Sequence, residues 1–452
     1  MNKPFQELTS RIQKEMKRLR VPGVAVGVWH RGREHSAGFG VTSVENPLPV
    51  TPETLFQTGS ISKTYTATIL MQLVEQGKLD LDEPVRKYLP ELKLSDESVA
   101  EQVTTRNLLT HTGGWVGDYF NDFGNGSDAN ERMVKDIARL PQIQPLGKIW
   151  SYNNTGFNIA ARLIEVLTGK PYEIAAQEML FDPLGLGMTF FYPSDIFFTH
   201  RFVVGHHREH GRMLVSRPWA IGRAGNGVGG VISNVNELLK YARFHMGDGK
   251  SENGRRVIAR KSLKAMRVAQ INAGGRGEMC ITWFRNEIGG VTRFGHGGAT
   301  HGQQAYFFFV PEKDFALAIL TNADEGGIIT ANAIGWAHEL YFGVKTKAPK
   351  HIELKKSELG QYVGRYQIGT ECFDLKIKNG MLVLQNIPLG GFPTPDTPPG
   401  PALPPMRFAF YEKEKLVGLD EPGKGAIADV IRGADGRVEF FRVFGRAHKK
   451  IA

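Results

Sequence analysis

The chain has 452 residues, 41% of them hydrophobic, and a formal net charge of +10; that length exceeds what one core ordinarily serves and predicts two or more domains. The positive charge is spread without a dense Lys/Arg run, which argues against a nucleic-acid partner, and no apolar run reaches membrane-spanning length. Two cysteines, Cys280 and Cys372, exclude a disulfide framework and a Cys-rich metal site.

In chain order, Phe5, Leu8, Ile12, Met16 and Leu19 recur at helical spacing and predict an opening amphipathic helix. This charged segment lacks the apolar core of a signal peptide, so the expected location is the cytoplasm. Residues 24–29 and 34–39 flank Arg31-Gly32 as a strand hairpin. Residues 54–58 read as a strand leading into a helix over 60–76, whose apolar face includes Ile61, Tyr65, Ile69 and Leu73 and which stops at Gly77. Residues 80–201 are rich in helix patterns, including 155–167 before Gly169 and 172–180 before Pro183, and predict a helical subdomain.

From residue 291 the pattern returns to strands at 293–296, 304–310 and 315–321, followed by a helix over 328–340. A polar, basic stretch at 344–351 reads as a linker. Beyond it, short strand patterns at 362–367, 373–377, 381–384, 407–411, 428–431 and 438–443, with turns at Asn379-Gly380 and Asp435-Gly436, predict a small antiparallel barrel or sandwich. Residues 388–406 hold eight prolines and must form an extended loop, which could serve as a lid. The expected division is 1–345 and 352–452.

Three short motifs carry chemistry. Gly59-Ser60-Ile61-Ser62-Lys63 puts Ser60 at a helix N-terminus and Lys63 one turn later on the same face. A serine hydroxyl needs a neighbouring base, and a lysine serves when burial or positive surroundings lower its pKa. Ser62 is a rival hydroxyl but faces elsewhere. Trp150-Ser151-Tyr152-Asn153-Asn154 precedes a helix and presents a phenol and an amide from a turn; Tyr152 can move a proton and Asn154 can orient a carbonyl or the lysine. Gly295-His296-Gly297-Gly298 ends a predicted strand whose glycines allow close backbone approach, so an N–H near Ala299 can complete an oxyanion hole with that of Ser60. Taken alone, each motif reads more readily as a capped helix, a packed turn or a strand end than as a catalytic element.

Together, in this order and spacing, Ser60/Lys63, Tyr152/Asn154 and His296/Gly298 resemble the serine penicillin-recognising hydrolases, the family of class C β-lactamases, D-aminopeptidases, DD-peptidases and related esterases. Leu108-Leu109-Thr110-His111-Thr112-Gly113-Gly114 and Pro183-Leu184-Gly185-Leu186 are similar to the β-lactamase-related branch. The resemblance, over residues 20–345, implies an α/β (α+β) β-lactamase/transpeptidase-like fold, with an antiparallel sheet flanked by helices, a helical subdomain and an appended C-terminal β-barrel-like domain. It implies Ser60 as nucleophile, Lys63 and Tyr152 as proton carriers, and Asn154, His296, Gly298 and Ala299 as substrate-binding residues, with no cofactor and no metal. Where many β-lactamases carry a permanently charged lysine, this chain has His296, and Gly297 lacks a hydroxyl; both argue against strong β-lactamase activity.

The expected activity is hydrolysis of small amides or peptides, particularly with D-residues, through an acyl-enzyme. A carboxylesterase with weak β-lactamase activity and a non-catalytic sensor or scaffold are the alternatives. The expected partner is a small-molecule or peptide substrate, not nucleic acid or membrane, with a homo-oligomer left open. His206, His207 and His210 read as a polar hairpin, the glycine-rich stretch 222–230 as backbone close to the cleft, His111 as a buttress, and Tyr119, Phe120 and Phe123 as packing or an acyl-binding rim.

Overall fold

The computed structural model describes residues 3–198, 200–219, 221–345, 349–391, 396–421 and 423–452. Helix α1 (Lys3–Leu19) leads into the hairpin of β1 (Gly23–His30) and β2 (Arg33–Gly40). Arg31 and Gly32 at its turn both have positive φ, 49° and 77°, the geometry whose twist matches two right-twisted strands. The two-residue strand β3 (Phe56–Gln57) precedes α2 (Ser62–Glu75). The strand predicted over 54–58 is shorter than expected because its one strand neighbour, β6 (Ile232–Ser233), is itself two residues long. Helix α3 (Thr155–Thr168) ends at Gly169, which is left-handed. The helix predicted over 172–180 is regular only to Ala176 and widens over Gln177–Phe181.

The histidine-rich segment forms the expected hairpin, β4 (His206–Glu209) and β5 (Arg212–Val215). After α4 (Val235–Met246) come β7 (Ile271–Asn272), β8 (Glu278–Met279), β9 (Phe284–Ile288), β10 (Val291–Thr300), β11 (Gln303–Val310) and β12 (Phe315–Thr321), then α5 (Gly326–Phe342). One antiparallel sheet runs β2-β1-β12-β11-β10-β9-β8-β7.

Both faces of this sheet are covered, and the period-2 alternation of β12 divides accordingly. Phe315, Leu317 and Ile319 pack with Phe5, Leu8 and Ile12 of α1 and Ile329 and Ala333 of α5. Ala316, Ala318 and Leu320 join the larger core of α2, α3 and α4. Helix α2 lies inside that core, buried from Ser62 through Leu73, as a helix that is apolar or Thr-lined on every side must be. It stops where Lys78 N–H reaches back to Leu73 O and Gly77 takes a φ of 70°.

The C-terminal part is a closed eight-stranded barrel: β13 (Gly364–Ile368), β14 (Glu371–Lys378), β15 (Met381–Pro388), β16 (Met406–Glu412), β17 (Lys415–Gly418), β18 (Ile427–Arg432), β19 (Val438–Val443) and β20 (Arg446–Lys450). Pairing of β13 with β20 removes both free edges. Tyr366, Leu375, Leu382, Phe408 and Phe441 fill it. The described parts of the proline-rich loop bond to one another and to β15; residues 392–395 lie outside the described residues. Among the described residues, the turn between β19 and β20 lies against the Tyr152 segment, with Tyr152 N–H donating to Gly445 O.

Candidate active site

Ser60 sits in a single tight turn, Gly59–Ile61, that runs into α2. Gly59 has a φ of 54°, and a Cβ there would stand 2.5 Å from Ala299 N. A Cβ on Gly298 would stand 1.9 Å from Thr58 O and 2.8 Å from Ser60 N. The two glycines therefore let β10 lie against the Gly59–Ile61 turn and bring the Ser60 and Ala299 backbone close together, an arrangement that an oxyanion hole requires. The 295–298 motif does not end its strand as expected; β10 continues to Thr300 in register with β11, so Gly298 and Ala299 are held by a full ladder.

Lys63 Nζ donates to Ser60 Oγ (2.9 Å) and to Val228 O (2.8 Å). The acceptor at Val228 belongs to the glycine-rich stretch, which does approach the cleft. Lys63 is fully buried and makes no ion pair within 4 Å among the described residues. Burial, then the Arg446 guanidinium, holds its pKa well below the ordinary ammonium range, with Asp118 pulling weakly the other way. Ser62 is occupied elsewhere: its Oγ donates to Gly59 O (2.7 Å) and accepts from Val231 N (3.0 Å).

The Tyr152 ring faces Lys63 Nζ, 5.2 Å from its centroid. Its hydroxyl is buried without a well-formed hydrogen bond among the described residues. Burial pushes its pKa up to about 12, while the nearby Ser60 hydroxyl, Arg446 and Arg276 oppose that rise. Asn154 stands at the start of α3, and one N–H of its amide is committed to Asp118 (2.6 Å). His111 buttresses this turn: its ring packs 4.2 Å from that of Tyr152, and its Nδ1 accepts from Asn153 N–H (3.0 Å). His296 packs between Phe284 and Tyr152. Burial, aided by Lys63, lowers its pKa to about 3, so it is neutral and offers no charge to a carboxylate.

Three residues of this site escaped the sequence reading: Asp118, Arg276 and Arg446. Arg446 stacks on Tyr152 at 4.9 Å and Arg276 at 6.0 Å. Nothing local in the sequence marks them, because Arg446 lies 294 positions from the phenol it touches. Tyr119, by contrast, is buried and bonds to Asp136 and Arg139, so it packs rather than lining a rim.

The β-lactamase family model matches residues 8–334, which include the sheet, α2, α3 and all three motifs. The chain belongs to the β-lactamase family. It is 35% identical over 318 residues to penicillin-binding protein 4 of Amycolatopsis lactamdurans, an alignment covering 69% of this chain and 82% of that protein. It is 24% identical over 343 residues to a β-lactamase of Providencia stuartii, covering 70% and 86%. Among solved structures, SurE superposes over 99% of both chains with a TM-score of 0.79 at 24% identity. A class C β-lactamase from Rhodobacter sphaeroides covers 72% of this chain and 97% of its own, with a TM-score of 0.61 at 23% identity. At those identities the structures establish the β-lactamase/transpeptidase fold. Membership of the β-lactamase family supports serine hydrolase chemistry in general.

Proposed function

We propose that this β-lactamase family member hydrolyses small amides or peptides, D-amino-acid-containing ones first, through an acyl-enzyme on Ser60. The observation that carries the reading is the 2.9 Å bond between Ser60 Oγ and a buried Lys63 amine that has no counter-ion within bonding reach. Such an amine sheds its proton readily and can then accept one from the serine. Ser60 Oγ attacks the carbonyl as its proton passes to Lys63. The amides of Ser60 and Ala299 hold the oxyanion, and Tyr152 returns a proton to the leaving nitrogen. Water then releases the acyl group by the reverse of these transfers. Asn154, His296 and Gly298 are the proposed substrate-side residues.

The neutral His296 supports a substrate other than a classical β-lactam carboxylate. Relatives named as unguisins hydrolases, one 24% identical over 95% of this chain, point toward peptides, and one SurE structure is a complex with D-Leu. An esterase is the second reading, since an ester needs the same relay with less help for its leaving group. We further propose a division into a hydrolase domain over 1–345 and a barrel domain over 352–452, a cytoplasmic location supported by two buried free cysteines, and no cofactor. Self-association is a further proposal, supported by a neighbouring solved structure described as an octameric penicillin-binding protein homologue, with a TM-score of 0.66. No helix among the described residues is long and apolar enough to cross a membrane.

The test is intact-mass spectrometry with p-nitrophenyl acetate, D-alanine p-nitroanilide and a penicillin in parallel, following both adduct and chromophore. The expected result is turnover through an adduct that maps to Ser60, is lost in Ser60→Ala and survives in Ser62→Ala. An adduct on Ser62, or turnover by Ser60→Ala, overturns the reading.

A further inference from the structure

The barrel reaches the proton relay through one side chain. The turn between β19 and β20 bends at Phe444 and Gly445, with φ of 52° and 84°. It delivers the Arg446 guanidinium onto the face of Tyr152, 4.9 Å from the ring centroid. Gly445 O accepts from Tyr152 N–H at 2.9 Å, so the same turn fixes the backbone and the ring of this residue. The guanidinium is also bidentate on Asp118, at 2.8 and 2.9 Å, and Asp118 accepts from Asn154 Nδ2 at 2.6 Å. One cation therefore holds both side chains of the second motif, the phenol by stacking and the amide through a shared carboxylate.

We propose that Arg446 is a positioning residue of the proton relay: it locks the Tyr152 ring and the Asn154 amide in one arrangement and holds a fixed positive charge against the phenol ring. The proposal rests on the reading of Lys63 and Tyr152 as proton carriers. An ion pair that merely joined the barrel to the loop carrying Asp118 would have no reason to lie on a buried phenol. Only a planar guanidinium stacks on a ring and forks onto a carboxylate at once, so lysine is not an equivalent.

The electrostatics agree with the geometry. After burial itself, Arg446 is the strongest influence lowering the Lys63 pKa, and it also pulls Tyr152 down, with Asp118 opposing both more weakly. The other groups facing this pair are Arg276 on the Tyr152 ring, and His111 and His296, both neutral through burial. Around Arg446 itself lie Glu371 of β14 and its partner His448 of β20. Loss of the Arg446 charge therefore raises the pKa of both proton carriers.

The experiment measures kcat, KM and the pH profile of kcat/KM for the full-length protein, Arg446→Met, Arg446→Lys, Asp118→Asn and Tyr152→Phe. The substrate is whichever of p-nitrophenyl acetate or D-alanine p-nitroanilide the parent turns over, and folding is checked by near-UV circular dichroism. The expected result for Arg446→Met is a kcat lower by about tenfold or more with KM within about threefold, the split that marks loss of an interaction made in the transition state. Its acid limb moves to higher pH. Arg446→Lys restores that limb but only part of kcat. A folded Arg446→Met with parental kcat and limb overturns the proposal, and so does a loss confined to KM, which would make Arg446 a substrate-binding group. Should Arg446→Met not fold, Asp118→Asn, which keeps the cation but breaks its fork, is expected to lose kcat, and parental kcat there overturns the proposal. Parental activity in Tyr152→Phe is the distinct outcome that sinks the reading of Tyr152 as a proton carrier, on which the proposal rests.

Discussion

Lys63 sets the character of this site, because a buried amine without a carboxylate is costly to keep charged. Below its ordinary pKa of about 10.4 the folded protein must either discard this proton or bury a charge, whereas the unfolded chain keeps it in water. The folded pKa lies below the unfolded one, so the unfolded state binds more protons in the window between them. Stability there rises with pH. Lys63→Met is expected to raise Tm at neutral pH, because relief of the buried amine outweighs a cost of about 1–3 kcal/mol for leaving Val228 O unpaired. That gain should vanish as pH approaches the unfolded value, while acylation falls about a hundredfold or more. Calorimetry at several pH values with parallel mass labelling checks it; a variant less stable than the parent at pH 7 contradicts it. The proposed nucleophile, the two proposed proton carriers and the β10 glycines could be picked out in the sequence because each sits in a short motif whose chemistry depends on local spacing.

Whole elements were legible to the extent that their burial is one-sided or their turns are marked. Helix α1 announced itself through Phe5, Leu8, Ile12 and Met16, and these are the residues it buries against β1, β12 and α5. The Asn379-Gly380 hairpin was marked by two residues that accept positive φ, here 50° and 74°. Strands β6, β7, β8, β9, β17 and β20 were missed, being two to five residues long with little alternation. Their hairpins are local, except that β6 pairs with the distant β3 and β20 also pairs with the distant β13, and none offers enough alternating apolar positions to mark a strand. Because α1 packs on the sheet face away from α2, its core can be damaged without touching the site. Leu8→Ala is expected to destabilise by about 2–5 kcal/mol through the cavity it leaves, with kcat of the folded fraction unchanged. Denaturant unfolding with active-site titration checks this, and a kcat loss beyond the loss of folded protein contradicts it.

At the scale of the molecule, the segment that carries Tyr152 is gripped from the barrel. Ser151 Oγ accepts from Ala447 N–H (3.1 Å), Gln144 Nε2 donates to Ala447 O (2.7 Å), and Arg442 Nη1 donates to Trp150 O (3.1 Å). None of this was legible from the sequence, which predicted a barrel but could not say which of its turns would meet the cleft. Arg442 separates two roles such contacts can play. It is nearly buried, forks onto Asp429 at 2.9 and 2.6 Å and reaches out of the barrel to Trp150 O and Asn272 O. Removing one partner of a buried pair strands the other, so Arg442→Met is expected to cost about 3–5 kcal/mol. Replacing both by apolar residues, Arg442→Met with Asp429→Leu, removes the stranded carboxylate and is expected to return most of the Tm. It cannot return the bond to Trp150 O, so kcat should stay low in the double variant. Recovery of Tm without recovery of kcat would place the grip on the Tyr152 segment, rather than stability, as the catalytic contribution of the barrel; recovery of both would show that any well-packed barrel suffices.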